Sequence, residues 1–314
     1  MIITLTLNPS LDRAVELDRL VRGDVLRATS ARLDPGGKGV NVSRALLANR
    51  VRSRAVLPSG GDEGTQLVRL LAAEGVDLLA VPIAGRTRSN LTLAEPDGTV
   101  TKVNEPGPSL SPAEFEAIAE KVLSATDAGG WVVVSGSTPP GLPVEAFGVL
   151  CQRLADAGFR LVVDTSGPPL CAAATAGATL VKPNREELAE AVGRRLDSLP
   201  DVVSAAEEIR SWGAGTVLAS LGADGAVLVE AGGVITGDCP VSRPRSTVGA
   251  GDALLAGFLA AGAAGSDALA EGLAWGAAAV SLPGSRMPGP ADLRRRDVRI
   301  HHRPDLLPTL PVQG

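Results

Sequence analysis

The second half of the chain alternates between amphipathic stretches and short, uniformly apolar runs. After Pro112, segments with an apolar side chain every three to four residues are separated by runs of consecutive apolar residues. The first pattern is typical of helices with one buried face, and the second of strands covered on both faces. Helices between such strands predict a mainly parallel α/β sheet. The predicted helices are 113–125, 144–157, 185–193, 204–212, 253–264 and 267–282, and the strands are 131–135, 161–164, 180–182 and 217–220.

The first hundred residues carry a different pattern. Residues 90–94 and 99–103 alternate between polar and apolar side chains, and Asp97-Gly98 between them favours a tight turn. Alternation indicates a hairpin with one face in water. We therefore expect one domain over 1–314 with a small β lid built from about 11–18 and 88–104. Further predicted elements are strands at 2–7, 14–17 and 51–58, helices at 40–48 and 65–74, and a hairpin of 227–229 with 234–236.

Residues 247–258 join a glycine turn to an apolar helix and read Thr-Val-Gly-Ala-Gly-Asp-Ala-Leu-Leu-Ala-Gly-Phe. Gly249 and Gly251 allow backbone conformations that turn successive N–H groups inward around Ala250. A helix N-terminus attracts anions, and Asp252 at that end can take a proton from a nucleophile that attacks a bound anion. The alternative is a capped helix in which Asp252 is the N-cap or a first-turn acid.

A second glycine-rich segment, residues 35–44, reads Pro-Gly-Gly-Lys-Gly-Val-Asn-Val-Ser-Arg and precedes a predicted helix. Gly37 lets the backbone approach a polar ligand closely, while Lys38 and Asn41 add charge and hydrogen bonds. The alternative is a glycine turn with Lys38 exposed. The segment is not a GxxxxGK[ST] phosphate loop, because neither Ser nor Thr follows the lysine. It is also not a GxGxxG after the first strand, which argues against a dinucleotide site.

Polar residues follow several predicted strands, where open α/β sheets bind ligands. Asp12 follows the first strand and can accept hydrogen bonds from two sugar hydroxyls or cap a turn. Ser137 lies in a Ser-Gly-Ser-Thr-Pro-Pro-Gly loop that also suits a plain turn. The glycines of Ser-Leu-Gly-Ala-Asp-Gly at 220–225 indicate, by themselves, only a turn. Arg88 and Lys102 lie near the predicted lid. Such charged side chains can bind an acidic substrate or simply be exposed to water.

Residues 182–187 read Lys-Pro-Asn-Arg-Glu-Glu, also after a strand and before a helix. Asn184 and Glu187 are three residues apart and share a helix face. Glu187 can orient Mg²⁺ through water, since magnesium keeps several waters. The alternative is a capping box with Asn184 as N-cap and Glu187 at the third helical position.

Composition narrows the classes of function. A formal net charge of −5 and 2% aromatic residues argue against nucleic-acid binding. Three widely spaced cysteines form no disulfide framework and indicate a reducing compartment, here the cytoplasm. We expect no signal peptide and no membrane span, and the two adjacent histidines argue against a His triad or a zinc site. The arginine-rich stretch 284–314 predicts a solvated final helix and strand, with binding of an anionic partner as the alternative.

Lysine is scarce and concentrated in these motifs. Four of the 30 basic residues are lysines, namely Lys38, Lys102, Lys121 and Lys182. Three of them lie in the segments described above. A lysine ammonium is more compact than an arginine guanidinium. The use of lysine rather than arginine in these motifs therefore suggests that they need a compact positive group.

Taken in order from Asn8 to Asp252, these segments resemble the signatures of the ribokinase-like sugar kinases, also called the PfkB family. Asn-Pro-x-x-Asp, Gly-Gly-Lys-Gly-Val-Asn and Thr-Lys-x-Asn-x-Pro-Gly are similar to those of its 1-phosphofructokinase and tagatose-6-phosphate kinase branch. The resemblance implies a three-layer αβα fold with a mainly parallel sheet and a small β lid. It also implies ATP and Mg²⁺ as cofactors, a phosphosugar as substrate, and a homodimer paired through the lid.

The resemblance further implies roles for the candidate residues. The residues implied to hold the sugar and its phosphate are Asp12, Gly37, Lys38, Asn41, Arg88, Asn90, Lys102 and Ser137. Those implied in catalysis are Asp252 as the base and Gly249, Ala250 and Gly251 as the anion hole. Those implied to contact the nucleotide are Lys182, Asn184, Ser220, Gly222 and Gly225, with Glu187 for Mg²⁺. The sequence of residues 283–290 departs from the family's usual motif near the adenine pocket, so no adenine contact is assigned there.

The implied reaction is phosphorylation of fructose 1-phosphate to fructose 1,6-bisphosphate. Fructose 6-phosphate and tagatose 6-phosphate remain alternatives, because differences of one hydroxyl depend on side-chain placement. A sensor that binds a sugar phosphate without turnover is a further alternative; it would keep Asp12, Arg88 and Lys102 but would not need Asp252. A nicotinamide-dependent dehydrogenase would require the early GxGxxG that the chain lacks.

Overall fold

A ten-stranded sheet runs through the middle of the computed structural model, which describes residues 1–125 and 127–301. The strands of this chain are β1 (Ile2–Leu5), β2 (Ser10–Glu16), β3 (Ser30–Gly36), β4 (Ser53–Ser59), β5 (Leu78–Pro82), β6 (Arg88–Ala94), β7 (Val100–Val103), β8 (Trp131–Ser135), β9 (Arg160–Asp164), β10 (Leu180–Val181), β11 (Thr216–Ser220), β12 (Ala226–Glu230), β13 (Gly233–Asp238) and β14 (Arg299–His301). The large sheet has the order β14-β13-β12-β11-β10-β9-β8-β1-β4-β5.

Seven neighbouring strands of the large sheet, β11 to β5 in that order, are parallel, and the three at the other edge are antiparallel. The inner parallel strands are largely buried on both faces, as their continuous apolar runs predict, whereas β5 at the sheet edge is mostly not buried. Strand order reverses at β1, which lies between β8 and β4. Open sheets bind ligands beside such a reversal, beyond the carboxyl ends of the strands.

Nine helices in the described part of the chain cover the two faces of this sheet. They are α1 (Lys38–Ala48), α2 (Gly61–Glu74), α3 (Pro112–Leu123), α4 (Val144–Asp156), α5 (Pro168–Thr175), α6 (Arg185–Val192), α7 (Leu199–Ser211), α8 (Ala250–Ala260) and α9 (Gly265–Val280). Alternate strand residues point to opposite layers: Val133 packs with α1, α8 and α9, whereas Val132 and Val134 pack with α3 to α7. The predicted three-layer α/β fold is confirmed.

A second sheet of four strands, in the order β3-β2-β6-β7, forms the lid. Strands β2 and β6 are parallel, and the two outer strands run antiparallel to them. The prediction of the lid from 11–18 and 88–104 omitted β3. The sequence of β3, Ser-Ala-Arg-Leu-Asp-Pro-Gly, contains residues that disfavour strands, and its Pro35 is tolerated because β3 lies at the sheet edge.

Further differences concern short elements. Strand β5 and helix α5 were not predicted. Helix α8 begins at Ala250 rather than 253, so that Asp252 lies inside its first turn. The predicted final helix is a single 3₁₀ turn at Arg295–Asp297, before β14. The expectations for 302–314 fall outside the described residues, and the extent of the domain over 1–314 stays a prediction.

Candidate active site

Helix α8 begins at a glycine turn without a side-chain cap. Gly249, its N-cap residue, has a φ of 75°, a conformation that favours glycine. The N–H of Ala250 donates to the carbonyl oxygen of Thr247 at 3.3 Å. Within 1–125 and 127–301, the amides of Gly251 and Asp252 have no acceptor. The amides available to an anion therefore include those of Gly251 and Asp252, while the predicted Ala250 amide closes the turn.

Asp252 is buried, with 6% of its surface exposed, and contacts the first helix. Asn41 Nδ2 donates to Asp252 Oδ2 at 2.8 Å. Gly37, with a φ of 120°, is the N-cap of α1. Asn41 lies one turn into this helix, where its side chain reaches Asp252. Asn41 Oδ1 is buried without a hydrogen-bond donor in the described residues, which leaves it for a ligand hydroxyl. The structure thus brings together the two glycine-rich motifs through residues that are 211 positions apart in the sequence.

Two lysines share a buried aspartate beneath this turn. Asp164 ends β9 and is fully buried. Lys38 Nζ donates to its Oδ1 at 2.8 Å and to Glu187 Oε1 at 3.2 Å. Lys182 Nζ lies 3.1 Å from Asp164 Oδ2, and a Cβ on Gly251 would lie 3.5 Å from the same ammonium. We call Lys38, Asp164, Lys182, Glu187 and Asp252 the charge cluster.

The surroundings in the charge cluster shift the pKa values of Asp252, Asp164 and Lys38. Burial, followed by the negative charge of Asp164, raises the pKa of Asp252 to about 6. Burial alone would raise the pKa of Asp164, but Lys182 and Lys38 outweigh it and hold that pKa below its usual value. Burial opposes the charged form of Lys38, yet Asp164 and Glu187 raise its pKa. Asp252 is the member whose proton is exchangeable near neutral pH, as a general base requires.

Asp164 was not among the predicted site residues. Its signal in the sequence is an acidic residue that directly ends a buried apolar run, Leu-Val-Val-Asp, at the ligand-binding edge of a parallel sheet. The two lysines that reach it come from predicted motifs. The ammonium of Lys38, which was predicted to contact the sugar, lies between Asp164 and Glu187, and its contact with the sugar stays a prediction.

Glu187 completes a capping box at the start of α6. Its backbone N–H donates to Asn184 Oδ1 at 2.8 Å, and its Oε2 accepts from the Asn184 N–H at 2.9 Å. The capping alternative is therefore present, together with the contact to Lys38. In the described ranges no three His, Cys, Asp or Glu side chains form a metal-binding group. This single carboxylate fits a magnesium ion carried mainly by phosphates and water, as Mg²⁺ prefers.

On the lid, Asp12 lies opposite Asn90 in the paired strands β2 and β6. Asp12 Oδ1 accepts from Ser10 Oγ at 2.6 Å and from Asn90 Nδ2 at 2.9 Å. A Cβ on Gly36 would collide with Asp12 Oδ2, so the glycine makes room for the carboxylate. Both hydrogen bonds thus go to Oδ1 of Asp12. Its Oδ2 can accept hydrogen bonds from hydroxyl groups of a ligand.

Arg88 begins β6 on the same face of the lid as Asp12. Its Nη1 and Nη2 donate to the carbonyl oxygens of Glu105 at 3.1 Å and Asn8 at 3.0 Å. Burial lowers the pKa of Arg88, and its buried Nε has no acceptor among the described residues. A guanidinium fixed by two main-chain acceptors, with a donor left over, suits an anionic ligand.

The two remaining predicted residues near the sugar phosphate lie apart. Lys102 is exposed on β7, paired in register with Thr92. Ser137 Oγ accepts from Asn8 Nδ2 at 3.3 Å, next to the loop that follows β8. Asn8 thus contacts both Ser137 and Arg88, whereas Lys102 is exposed to solvent at the lid's edge.

The predicted nucleotide residues lie at the ends of β10 and β11. Ser220 and Asn184 form a β-bridge, so these two strand ends meet. Gly222 begins a 3₁₀ turn, and Gly225 has a φ of 90° with the carbonyl oxygen of Gly237 where a Cβ would project. A cavity of about 850 Å³ lies beside α9. Its lining comes from the loop 239–245, the last turns of α9 and the segment 291–299.

Comparisons with known proteins agree with this geometry. The model of the pfkB family carbohydrate kinases matches residues 5–292. The chain is 38% identical over 292 residues to the ATP-dependent 6-phosphofructokinase isozyme 2 of Escherichia coli, covering 91% of this chain and 94% of that one. It is also 38% identical over 273 residues to the 1-phosphofructokinase of Rhodobacter capsulatus, covering 86% of each.

Solved structures give the same result. The crystal structure of phosphofructokinase-2 from Escherichia coli in complex with substrates and products has a TM-score of 0.88 at 38% identity, covering 93% of this chain and 96% of that one. Ribokinase from Arabidopsis thaliana, complexed with ribose and ATP, shares the fold with a TM-score of 0.72 at 20% identity, covering 94% and 96%. No helix in the described residues is both long and apolar enough to cross a membrane. This chain belongs to the pfkB family of carbohydrate kinases.

Proposed function

We propose that this phosphotransferase moves the γ-phosphoryl group of ATP to the free primary hydroxyl of fructose 1-phosphate, giving fructose 1,6-bisphosphate and ADP. The observation that carries the proposal is the buried carboxylate of Asp252 beside amides of α8 that have no acceptor among the described residues. A base next to an anion site is the arrangement that phosphoryl transfer to a hydroxyl requires. Several relatives named 1-phosphofructokinase, at 35–38% identity, support this substrate.

In this reaction Asp252 accepts the hydroxyl proton while the sugar oxygen bonds to the γ-phosphorus and the bond to ADP breaks. With a pKa of about 6, the carboxylate is mostly ionised at pH 7 and still basic. The amides of Gly251 and Asp252 and the ammonium of Lys182 oppose the charge that develops on the transferred group. Glu187 would hold Mg²⁺ through water, and the ion supplies charge neutralisation on the triphosphate.

The lid residues bind the sugar in this proposal. Arg88 pairs with the phosphate that is already present, through its unused Nε–H and the remaining guanidinium hydrogens. Asp12, held by Ser10 and Asn90, accepts hydrogen bonds from sugar hydroxyls. Asn41 Oδ1 is a second acceptor close to the base. Lys102 contributes a screened charge at the lid's edge.

The cavity beside α9 is the place we propose for the nucleoside of ATP. Its volume of about 850 Å³ lies in the range of small-molecule sites. The amides of Arg245 and Ser246 donate to the carbonyl oxygen of Val280, so the lining loop leads directly into the turn at Gly249. Among the described residues, the lining arginines Arg243 and Arg294 have no carboxylate within ion-pair distance. Unpaired guanidinium groups suit a polyanionic donor.

The test is ADP release from Mg-ATP with fructose 1-phosphate, fructose 6-phosphate, tagatose 6-phosphate and fructose in parallel. We expect the largest kcat/KM for fructose 1-phosphate. The second candidate, fructose 6-phosphate, is favoured by the similarity to the Escherichia coli 6-phosphofructokinase, and a larger kcat/KM for it would replace the first. Turnover of fructose alone would remove the phosphate-binding role of Arg88. Binding without turnover would favour the sensor.

We also propose a homodimer that pairs through the lid. The face of the lid opposite Asp12 carries Val15, Leu91, Leu93 and Val103, as the strand register dictates. Val103 is 55% exposed, and a second copy would cover this apolar face. Light scattering should give twice the chain mass, and Leu93→Asp should give monomers. For comparison, a solved phosphofructokinase-2 of Escherichia coli is a tetrameric inhibited form.

The free thiols of all three cysteines fit the cytoplasmic location we propose.

A further inference from the structure

One ammonium group bridges two carboxylates that belong to different elements. Lys38 Nζ lies 2.8 Å from Asp164 Oδ1, at the end of β9, and 3.2 Å from Glu187 Oε1, in the first turn of α6. The second oxygen of each carboxylate is also engaged. Asp164 Oδ2 faces Lys182, and Glu187 Oε2 accepts from the Asn184 N–H. Asp164 Oδ1 and Glu187 Oε1 therefore define one position, held by Lys38 Nζ, at which a cation contacts both carboxylates.

The two lysines of the charge cluster differ in freedom. The side chain of Lys182 is 4% exposed, so its ammonium is a fixed countercharge to Asp164. The side chain of Lys38 is 35% exposed and extends from the first residue of α1. A partly exposed four-carbon chain can leave its carboxylates without unfolding the protein. Lys38 is therefore an exchangeable cation, and Lys182 is not.

The charges of the cluster explain why a resident cation is needed. Two ammonium groups face three carboxylates, those of Asp164, Glu187 and Asp252. Without Lys38, one ammonium would face three carboxylates in a site largely closed to water. Such an excess of buried negative charge attracts a divalent ion, since Coulomb energies are large at low dielectric constant.

We propose that Lys38 is a positioning residue that occupies the cation position between Asp164 and Glu187 and thereby excludes free divalent metal from the nucleotide-free enzyme. Metal then enters only together with the phosphates of the donor, whose charge outweighs the ammonium. This inference rests on the proposed function for the identity of that donor. It assigns to the lysine of the Gly-Gly-Lys-Gly segment a role toward the metal rather than toward the sugar.

The test measures Mn²⁺ binding by electron paramagnetic resonance on the intact chain, without nucleotide or sugar. We expect weak binding to the wild type across the millimolar range and at least ~10-fold tighter binding to Lys38→Met, as the loss of one buried positive charge predicts. Lys38→Gln, which still hydrogen-bonds to carboxylates, should show the same gain and serves if the Met variant folds poorly. Lys121→Met, which removes an exposed lysine from α3, should behave as the wild type.

A double variant locates the bound metal. Lys38→Met with Glu187→Gln should lose the gain in Mn²⁺ affinity, because one of the two carboxylates is gone. Equal affinity of the wild type and both Lys38 variants would overturn the proposal, as would a gain that survives in the double variant. These arms contain neither ATP nor sugar. Failure of every sugar to react would thus reject the proposed function while leaving the metal result intact, and the reverse also holds.

Discussion

The charge cluster and the lid place charged groups in opposite surroundings. In the charge cluster, Asp164 is fully buried and Lys182 is 4% exposed, and the two form an ion pair. On the lid, Arg88 is held by main-chain carbonyl oxygens, and Lys102 is exposed. Opposite charges fixed in a dry site are organised before substrate arrives, whereas charges on a thin sheet at the surface are screened by water.

This difference separates two tasks. Groups in the charge cluster act on the reacting atoms and should control kcat. Groups on the lid act on the part of the sugar that does not react and should control KM, because they stabilise ground state and transition state equally. Substitutions in the two regions test that division.

Asp252→Asn removes the base while keeping the shape. We expect kcat to fall by at least ~10²-fold, the low end for loss of a general base. Asp267→Asn, at the exposed first-turn acid of α9, is the matched control and should leave kcat unchanged. A variant at Asp252 with more than a tenth of the wild-type rate would remove the residue from its proposed role.

The same substitution should stabilise the fold at neutral pH. The pKa of Asp252 is raised in the folded protein, so its ionised form at pH 7 opposes folding. Removing that charge should raise the free energy of unfolding by about 1 to 3 kcal/mol. The gain should shrink as pH falls through about 6 and vanish below the ordinary pKa of an aspartate, where both states are neutral. Urea unfolding at pH 7.5 and pH 4 measures it, and an equal gain at both values would contradict the assignment.

Arg88→Ala should act mainly on binding. Loss of charge-assisted hydrogen bonds to the sugar phosphate should raise KM by about 10- to 100-fold with kcat nearly unchanged. Arg19→Ala, in the exposed stretch after β2, is the control for loss of one arginine. An unchanged KM for the phosphosugar would show that the lid does not bind its phosphate.

The rate of the wild type should decrease in acid. Protonation of Asp252 predicts that kcat falls about tenfold per pH unit below about pH 6. The measurement uses saturating substrates, because the sugar phosphate itself ionises near pH ~6 and this affects KM. A kcat that stays constant down to pH 5 would indicate that another group, or none, accepts the proton.

Lys102→Ala should give the smallest change. An exposed ammonium is screened by water and salt, so we expect KM to rise less than ~3-fold, and less still at high ionic strength. Steady-state kinetics at low and high salt provide the measurement. A change as large as that of Arg88→Ala would show that the lid closes over Lys102 when substrate binds.

Local patterns were sufficient where one segment carries the whole signal. Asn184 and Glu187 form the capping box that their spacing predicts, and the apolar runs of β8, β9 and β11 became buried parallel strands. Strand β3 was missed because its stability comes from pairing with β2 at a sheet edge. Pairing between distant segments leaves little trace in the propensities of a seven-residue stretch.

The family, the layers of the fold and the turn that ends at Asp252 could be predicted from the chain alone, because they depend on periodicity and on glycines at set positions. The electrostatics of the site, by contrast, depend on the folded arrangement. Folding brings the ammonium groups of Lys38 and Lys182 to Asp164 and the amide of Asn41 to Asp252. It leaves Lys102 exposed to solvent. A pKa and an ion pair depend on burial and on distance between remote residues, and neither quantity is encoded in any one segment.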